Sequence, residues 1–341
     1  MRRVFTIICC IAMTTFSVAF AGDLSGYDEA FPVNLDPFTG NWTGQWLTGK
    51  KEPDIAAQVI PLGADRYRII VQNKLDVRCA PYAVVEETVV DGVLDFETEA
   101  LFGELRGDAF TGGKTDEDRQ FKMARTALPS PSLGAKPPRG ATVLFNGRNM
   151  DEWRETSGWV VGENKTLLVT PGSPDLMSNE RFSDMRLHLE FRLPYRPVER
   201  GQDRGNSGIY VQGAYEVQIL DSFGLPGYFD ECGALYKLAA PKVNACRPPL
   251  EWQTYDIDYT APRYSAKGEV ESYARMTVRH NGVLVHNDVE LQTRTGGEDK
   301  RARDHPSQAQ NLKIQEHGDY MEFRNIWLVQ PDEPAKKRKG A

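Results

Sequence analysis

The chain has 341 residues, 40% of them hydrophobic and 26% charged, so it is globular and long enough for two domains. Its net charge of -7 argues against a nucleic-acid partner, and beyond the N-terminus no stretch is apolar enough to span a bilayer.

The N-terminus reads as an export signal. Arg2 and Arg3 precede an apolar run from Val4 to Met13, and Ala19-Phe20-Ala21 is a small-x-small cleavage site. Residues 1–21 are therefore expected to be a signal peptide, and the mature chain periplasmic or secreted. Among the remaining cysteines, Cys232 and Cys246 flank a strand-like Ala-Leu-Tyr-Lys-Leu and a Pro-containing loop. In an oxidising compartment a close pair of this kind is expected to form a disulfide, leaving Cys79 free. Without a CxxC pair these thiols do not make a zinc site.

Residues 37–126 read as short strands with turn signals, from Gly40-Asn41-Trp42-Thr43-Gly44 through Glu104 to Gly107. That spacing suits a small β-meander or barrel-like domain, and its acidic residues fall singly on polar strand faces. Residues 127–140 carry Pro129, Pro131, Pro137 and Pro138 and read as a linker. A second, all-β domain spans 141–331, and a basic tail, 332–341, follows it. Its many short strands in about 190 residues point to a two-sheet jelly roll. Asn281-Gly282 marks a type I′ hairpin turn.

The most informative stretch is Gly205 to Asp221. Ile209 and Val211 alternate with Tyr210 and Gln212, and beyond a turn Tyr215, Val217 and Ile219 alternate with Glu216 and Gln218. This is a β-hairpin with an apolar and a polar face. Planar hydrogen-bonding groups gathered on one face suit a sugar, although an ordinary solvated face carries the same alternation. In Leu187 to Leu193 the polar face holds His188, Glu190 and Arg192; in Leu312 to His317 it holds Lys313, Gln315 and His317. If these strands neighbour the hairpin, one surface gathers Glu190, Arg192, Glu216, Gln218, Gln315 and His317. Such crowding implies function or ion pairing.

Leu144-Phe145-Asn146-Gly147, Leu189-Glu190-Phe191-Arg192, Gly205-Asn206-Ser207-Gly208-Ile209-Tyr210 and Tyr215-Glu216-Val217-Gln218-Ile219-Leu220-Asp221 form an ordered series. Gly233-Ala234-Leu235-Tyr236, Glu251-Trp252, Gln315-Glu316-His317-Gly318 and Glu322-Phe323-Arg324-Asn325 continue it. The series resembles the 3-keto-disaccharide hydrolase, or 3-keto-glucoside lyase/hydratase, domain family, with a concanavalin A-like jelly roll. The resemblance covers residues 141–331 and leaves the first domain outside.

It implies a glycoside or oligosaccharide substrate oxidised at C3. A ketone there acidifies the C2 hydrogen, the C1 oxygen can then leave by elimination, and water adds back. Such a path needs a base at C2, an electrophile at the C3 oxygen and an acid at the leaving oxygen. The resemblance implies Glu216 and His317 as base and acid, in either order. The ketone could be polarised by Arg192, or by a divalent metal held by Glu190 and His317. Asn206, Tyr210, Gln218, Asp221 and Gln315 would bind the sugar, with Tyr236 or Trp252 stacking on its ring. Two other functions fit the same residues: a non-catalytic carbohydrate-binding module, and a glycosidase working through the carboxylates Glu190 and Glu216.

Overall fold

The computed structural model describes residues 23–33, 36–47, 54–162, 164–296 and 305–331; the expected signal peptide and the basic tail lie outside them. The first domain has eight antiparallel strands. They are β1 (Gly40–Trp46), β2 (Ile55–Gly63), β3 (Arg66–Gln72) and β4 (Ala83–Thr88). After them come β5 (Leu94–Glu97), β6 (Leu101–Arg106), β7 (Ala109–Lys114) and β8 (Gln120–Arg125). In the order β4-β3-β2-β1-β8-β7-β6-β5 they curl until only a Val90–Val93 bridge spans the gap, which makes a nearly closed barrel. The alternate residues Ile69, Val71, Leu94, Phe110, Phe121 and Met123 fill its interior around Trp42, whose indole N–H reaches the Phe38 carbonyl at 3.1 Å.

The second domain begins with the short strands β9 (Thr142–Phe145), β10 (Trp153–Arg154), β11 (Trp159–Val161) and β12 (Leu167–Val169). Then come β13 (Leu176–Phe182), β14 (Met185–Arg192), β15 (Ser207–Val211) and β16 (Tyr215–Ile219). The chain continues through β17 (Trp252–Thr260), the short ribbon β18 (Arg263–Tyr264) and β19 (Val270–Ser272), and β20 (Ala274–His280). It ends with β21 (Val283–Leu291), β22 (Gln310–Ile314) and β23 (Met321–Val329). One sheet runs β10-β13-β22-β15-β16; the other runs β11-β12-β23-β14-β17-β20-β21, with β9 added beside β23. This is the two-sheet jelly roll expected of the sequence. The Asn281-Gly282 turn has φ of 52° and 79°, as a type I′ hairpin requires.

One core joins the sheets. Ile209, Val211, Val217, Ile219, Leu312 and Ile314 of the five-stranded sheet meet Leu187, Leu189, Phe191 and Ile257 of the other. Because strand side chains alternate, the polar residues between them point away from that core, in opposite directions for the two sheets.

The barrel is keyed into the jelly roll. Ile60 of β2 joins the jelly-roll core, and a side chain at Gly224 would come within 2.5 Å of it. Asp76 takes a bidentate bond from Arg247 at 2.8 and 2.9 Å, and Arg78 donates to the carbonyls of Gly227, Pro241 and Lys242. The Pro-rich stretch is bound along the second sheet's outer face. Ser130 bonds Thr254 at 2.6 Å, Ser132 bonds Asp256 at 2.6 Å, and the Ala135 carbonyl accepts from Asn325 and Trp327. No helix among the described residues is long and apolar enough to cross a membrane.

Candidate active site

The outer face of the five-stranded sheet carries Tyr210 from β15, Glu216 and Gln218 from β16, and Lys313 and Gln315 from β22 and its extension. Antiparallel register sets Tyr210 opposite Glu216 and Gly208 opposite Gln218. Lys313 is paired with Tyr210 across the next ladder, and the Gln315 N–H bonds the Gly208 carbonyl at 2.9 Å. Glu216 is only 3% exposed, while Tyr210, Lys313, Gln315 and Tyr236 are half-buried around it. The carboxylate is therefore buried among polar and aromatic side chains.

Glycine makes that depth possible. A side chain at Gly208 would stand 2.3 Å from Glu216 Oε1, so only a bare backbone lets the carboxylate lie flat against the sheet. Tyr210 donates its hydroxyl to Glu216 Oε2 at 2.8 Å, and the Lys313 ammonium sits 3.7 Å from the Tyr210 ring. Asp175 holds Lys313 at 2.8 Å. Burial pushes the Glu216 carboxyl up to about 7, against the opposing pull of Tyr210 and Lys313. A carboxyl that changes state near neutrality is suited to taking and returning a proton.

Beside it runs a relay of amides. The Asn206 amide donates to the Gln202 carbonyl at 2.7 Å, and the Gln202 amide donates to the Asp230 carbonyl at 2.8 Å. Those two backbone acceptors fix which end of each side chain is oxygen. Asn206 Oδ1 and Gln202 Oε1 then both accept from Gln218 Nε2, at 3.1 and 3.2 Å. Gln218 Oε1 is left buried and without a partner. Asp319 anchors the segment from below, accepting from the Gly205 and Asn206 N–H groups at 2.8 and 3.3 Å and from Arg196 at 3.0 Å.

The other expected residues part company with this group. Glu190 and Arg192 share β14 with His188, and β14 belongs to the opposite sheet. Their side chains leave the sandwich on the far surface. Glu190 accepts from the Gly134 N–H at 2.6 Å, Asn325 at 2.8 Å and Arg324 at 2.6 Å, so its oxygens are occupied in fastening the Pro-rich stretch. Burial pushes Glu190 up, but bonds from His188, Asn325, Arg324 and Gly134 outweigh it and hold the carboxyl at about 2. Arg192 pairs with Glu322 and lies over Phe31 and Trp252, 4.8 and 5.4 Å from their ring centres. Trp252 packs between Arg192 and Arg324 on that same far surface and cannot stack on a sugar beside Glu216.

Asp221 is also structural. Its carboxylate is taken by Arg204 at 2.7 Å and the Phe223 N–H at 3.2 Å. Gln212, at φ 50° in the hairpin turn, points away from the polar face and bonds Tyr259. His317 follows β22 in an exposed loop and has no hydrogen bond to another described residue. Glu190 and His317 therefore do not form a metal pair, and no three His, Cys, Asp or Glu among the described residues gather closely enough to hold a metal ion. Tyr236 lies beside Glu216 along the backbone: its N–H bonds the Glu216 carbonyl at 3.2 Å. Cys232 and Cys246 are buried, unbridged thiols in contact with each other beside Tyr255, whose hydroxyl lies 3.2 Å from the Cys232 sulfur.

Sequence reasoning passed over Asp175 and Gln202. Asp175 stands in an irregular segment and Gln202 in a single turn of 3-10 helix, where no alternation marks a face.

Residues 140–329 match the model of the 3-keto-alpha-glucoside-1,2-lyase-like domain. No curated protein matches the chain. A crystal structure of a candidate glycosyl hydrolase from Parabacteroides distasonis ATCC 8503 is 33% identical over 60% of this chain and 90% of its own, with a TM-score of 0.54. A second candidate glycosyl hydrolase from that organism is 20% identical over 57% of this chain and 94% of its own, with a TM-score of 0.40. With a domain-length match to the family model, and a solved relative that is one third identical over nearly all its length, this chain belongs to the 3-keto-alpha-glucoside-1,2-lyase-like family.

Proposed function

We propose that the protein cleaves 3-keto-glycosides by removing the C2 proton, expelling the C1 substituent and adding water across the resulting double bond. The family domain and the one-third-identical relative support a carbohydrate-active enzyme. The finer reading rests on Glu216, a buried carboxyl raised to about 7 with a hydroxyl donor and an ammonium group beside it. A passive sugar-binding face has no need of a carboxyl held so far from its ordinary state.

In this reading Glu216 takes the C2 proton. The electrons move into the C2–C3 bond and onto the ketone oxygen, which is stabilised by the Lys313 ammonium and not by Arg192, whose partner is Glu322 on the opposite sheet. Collapse of that enolate expels the C1 oxygen. Tyr210, bonded to Glu216, passes the proton on to the departing oxygen. Gln218, Asn206 and Gln315 orient ring hydroxyls and Tyr236 flanks the ring. Glu190 has no step, and the two-carboxylate glycosidase is set aside. Side chains leaving opposite faces of sheets about 10 Å apart stand farther from each other than the roughly 9.5 Å that an inverting pair spans. The reaction is proposed to run in the periplasm or the medium, on the basis of residues 1–21 alone.

The test compares an alkyl glucoside with its 3-keto form in heavy water. Cleavage of the ketone only, with deuterium entering C2 of the product faster than spontaneous enolisation allows, supports elimination and hydration. A product retaining its C2 hydrogen means direct displacement at C1 and refutes the mechanism.

A further inference from the structure

Two aromatic side chains stand in solvent close to the site. Tyr228 is 57% exposed and Phe229 50%, well above the other exposed aromatic residues of the described chain, which reach 40% at Tyr82. Single exposed apolar residues are ordinary, but two adjacent large rings at one loop tip usually mark a contact surface. The loop that carries them is firmly held. Glu231 Oε2 accepts from the Gly227 and Tyr228 N–H groups at 2.6 and 2.9 Å, and Arg78 donates to the Gly227 carbonyl at 2.9 Å.

Two further bonds tie the tip to the floor of the site. The Phe229 carbonyl accepts from Lys237 N–H at 2.8 Å, and the preceding residue, Tyr236, bonds the Glu216 carbonyl. The Asp230 carbonyl accepts from Gln202, whose other end accepts from Gln218. One side chain therefore spans from the aromatic loop to the Gln218 amide nitrogen, while the oxygen of that same amide is buried and has no partner. An unpaired buried acceptor calls for a donor, and on this polar face a sugar hydroxyl is a donor of the right kind.

We propose that the loop tipped by Tyr228 and Phe229 is the leaving-group subsite, an apolar platform for an aromatic or second-sugar substituent at C1, with Gln202 as the positioning residue that locks it to Gln218. The proposal rests on the reading of Glu216 as the C2 base. It makes the substrate class a glycoside with a ring-shaped aglycone and not a simple alkyl one. Flat rings cover one another with little loss of freedom, and a sugar or phenyl face suits a Tyr–Phe pair.

The test uses the full chain with both exposed residues replaced, Tyr228→Ala and Phe229→Ala, against methyl and 4-nitrophenyl 3-keto-glucosides. With the nitrophenyl substrate kcat/KM is expected to fall about tenfold or more through a raised KM, as lost ring contact predicts. With the methyl substrate it should stay within about twofold, since that ligand does not reach the loop. Gln202→Ala should shift both substrates, because it also releases Gln218, and a thermal melt of each variant reports folding. An equal change on both substrates in the doubly substituted protein, or no change on either, overturns the subsite while leaving the mechanism intact. A wild-type protein that cleaves neither ketone removes the mechanism and the subsite with it.

Discussion

Replacing Glu216 by Gln should make the protein more stable and less active, and the stability gain should depend on pH. The folded carboxyl titrates at about 7, against an ordinary 4.5, because burial opposes its charge. The native state therefore keeps a proton that the unfolded chain releases between those two values. Stability is highest below the unfolded value, falls as pH rises through the folded value, and is level beyond it. At about 1.4 kcal/mol for each pH unit between 4.5 and 7, the ionised group costs the fold about 3 kcal/mol in mild alkali. Gln fills the same space, accepts the Tyr210 hydroxyl and carries no charge. At about pH 8 the variant should melt several degrees above wild type, and at about pH 5 the two should converge. Turnover of a 3-keto-glycoside should fall at least about a hundredfold, while wild-type kcat/KM should rise to a plateau above about pH 7. Calorimetric melts at both pH values check the stability and initial rates check the chemistry. A variant no more stable than wild type at pH 8, or more stable by the same margin at pH 5, would refute the claim that burial holds this carboxyl up.

The remaining predictions concern the neighbours of that group and the far surface. Gly208→Ala should leave the melting temperature nearly unchanged, because the atom it meets at 2.3 Å is the movable end of Glu216, yet cut turnover at least about tenfold by displacing it. Glu190→Ala should destabilise the fold by about 3–5 kcal/mol, because it leaves Arg324 and the Gly134 N–H without partners. It should spare turnover in the fraction that stays folded; selective loss of rate would return Glu190 to the mechanism. Cys232 and Cys246, which the structure holds as buried, unbridged thiols where the sequence pointed to a disulfide, should label slowly in the native fold and both label without reductant once it is unfolded. Labelling of the unfolded chain that appears only after reduction would refute the free thiols.

Much of the jelly roll was legible because strands record burial with period two. The hairpin from Ser207 to Ile219 shows its inner face in Ile209, Val211, Val217 and Ile219, and the Asn281-Gly282 turn shows itself by its chemistry. β13 was not legible. Its Leu-Met-Ser-Asn-Glu-Arg-Phe run breaks alternation at a register shift between Met177 and Arg181, so no face repeats. β7 hides for another reason. Gly112 and Gly113 replace side chains where Phe121 and Phe102 lean over the backbone, which leaves almost no apolar pattern to read.

The site was half legible, and the missing half is sheet membership. Period two says that Glu190 and Glu216 each project from the polar side of a strand, but not which of two sheets holds that strand. Their burial is nearly the same, 1% and 3% exposed, and both sit beside a cation and an aromatic ring. Only partners separate them. Glu190 collects bonds from Arg324, Asn325 and a backbone N–H, so its charge is fully answered and the group is inert near neutrality. Glu216 faces one hydroxyl, with Lys313 turned toward Asp175, and so remains unsatisfied when ionised. Glu190 is the carboxylate the fold has neutralised with direct bonds, and Glu216 is the one it has left wanting a proton, which is why Glu216 is the proposed base. Lys313 gives this contrast a direct check. Lys313→Met removes the cation that stabilises ionised Glu216, so the apparent pKa of kcat/KM should rise above about 7. An unchanged profile would mean that Lys313 and Glu216 do not act on the same charge.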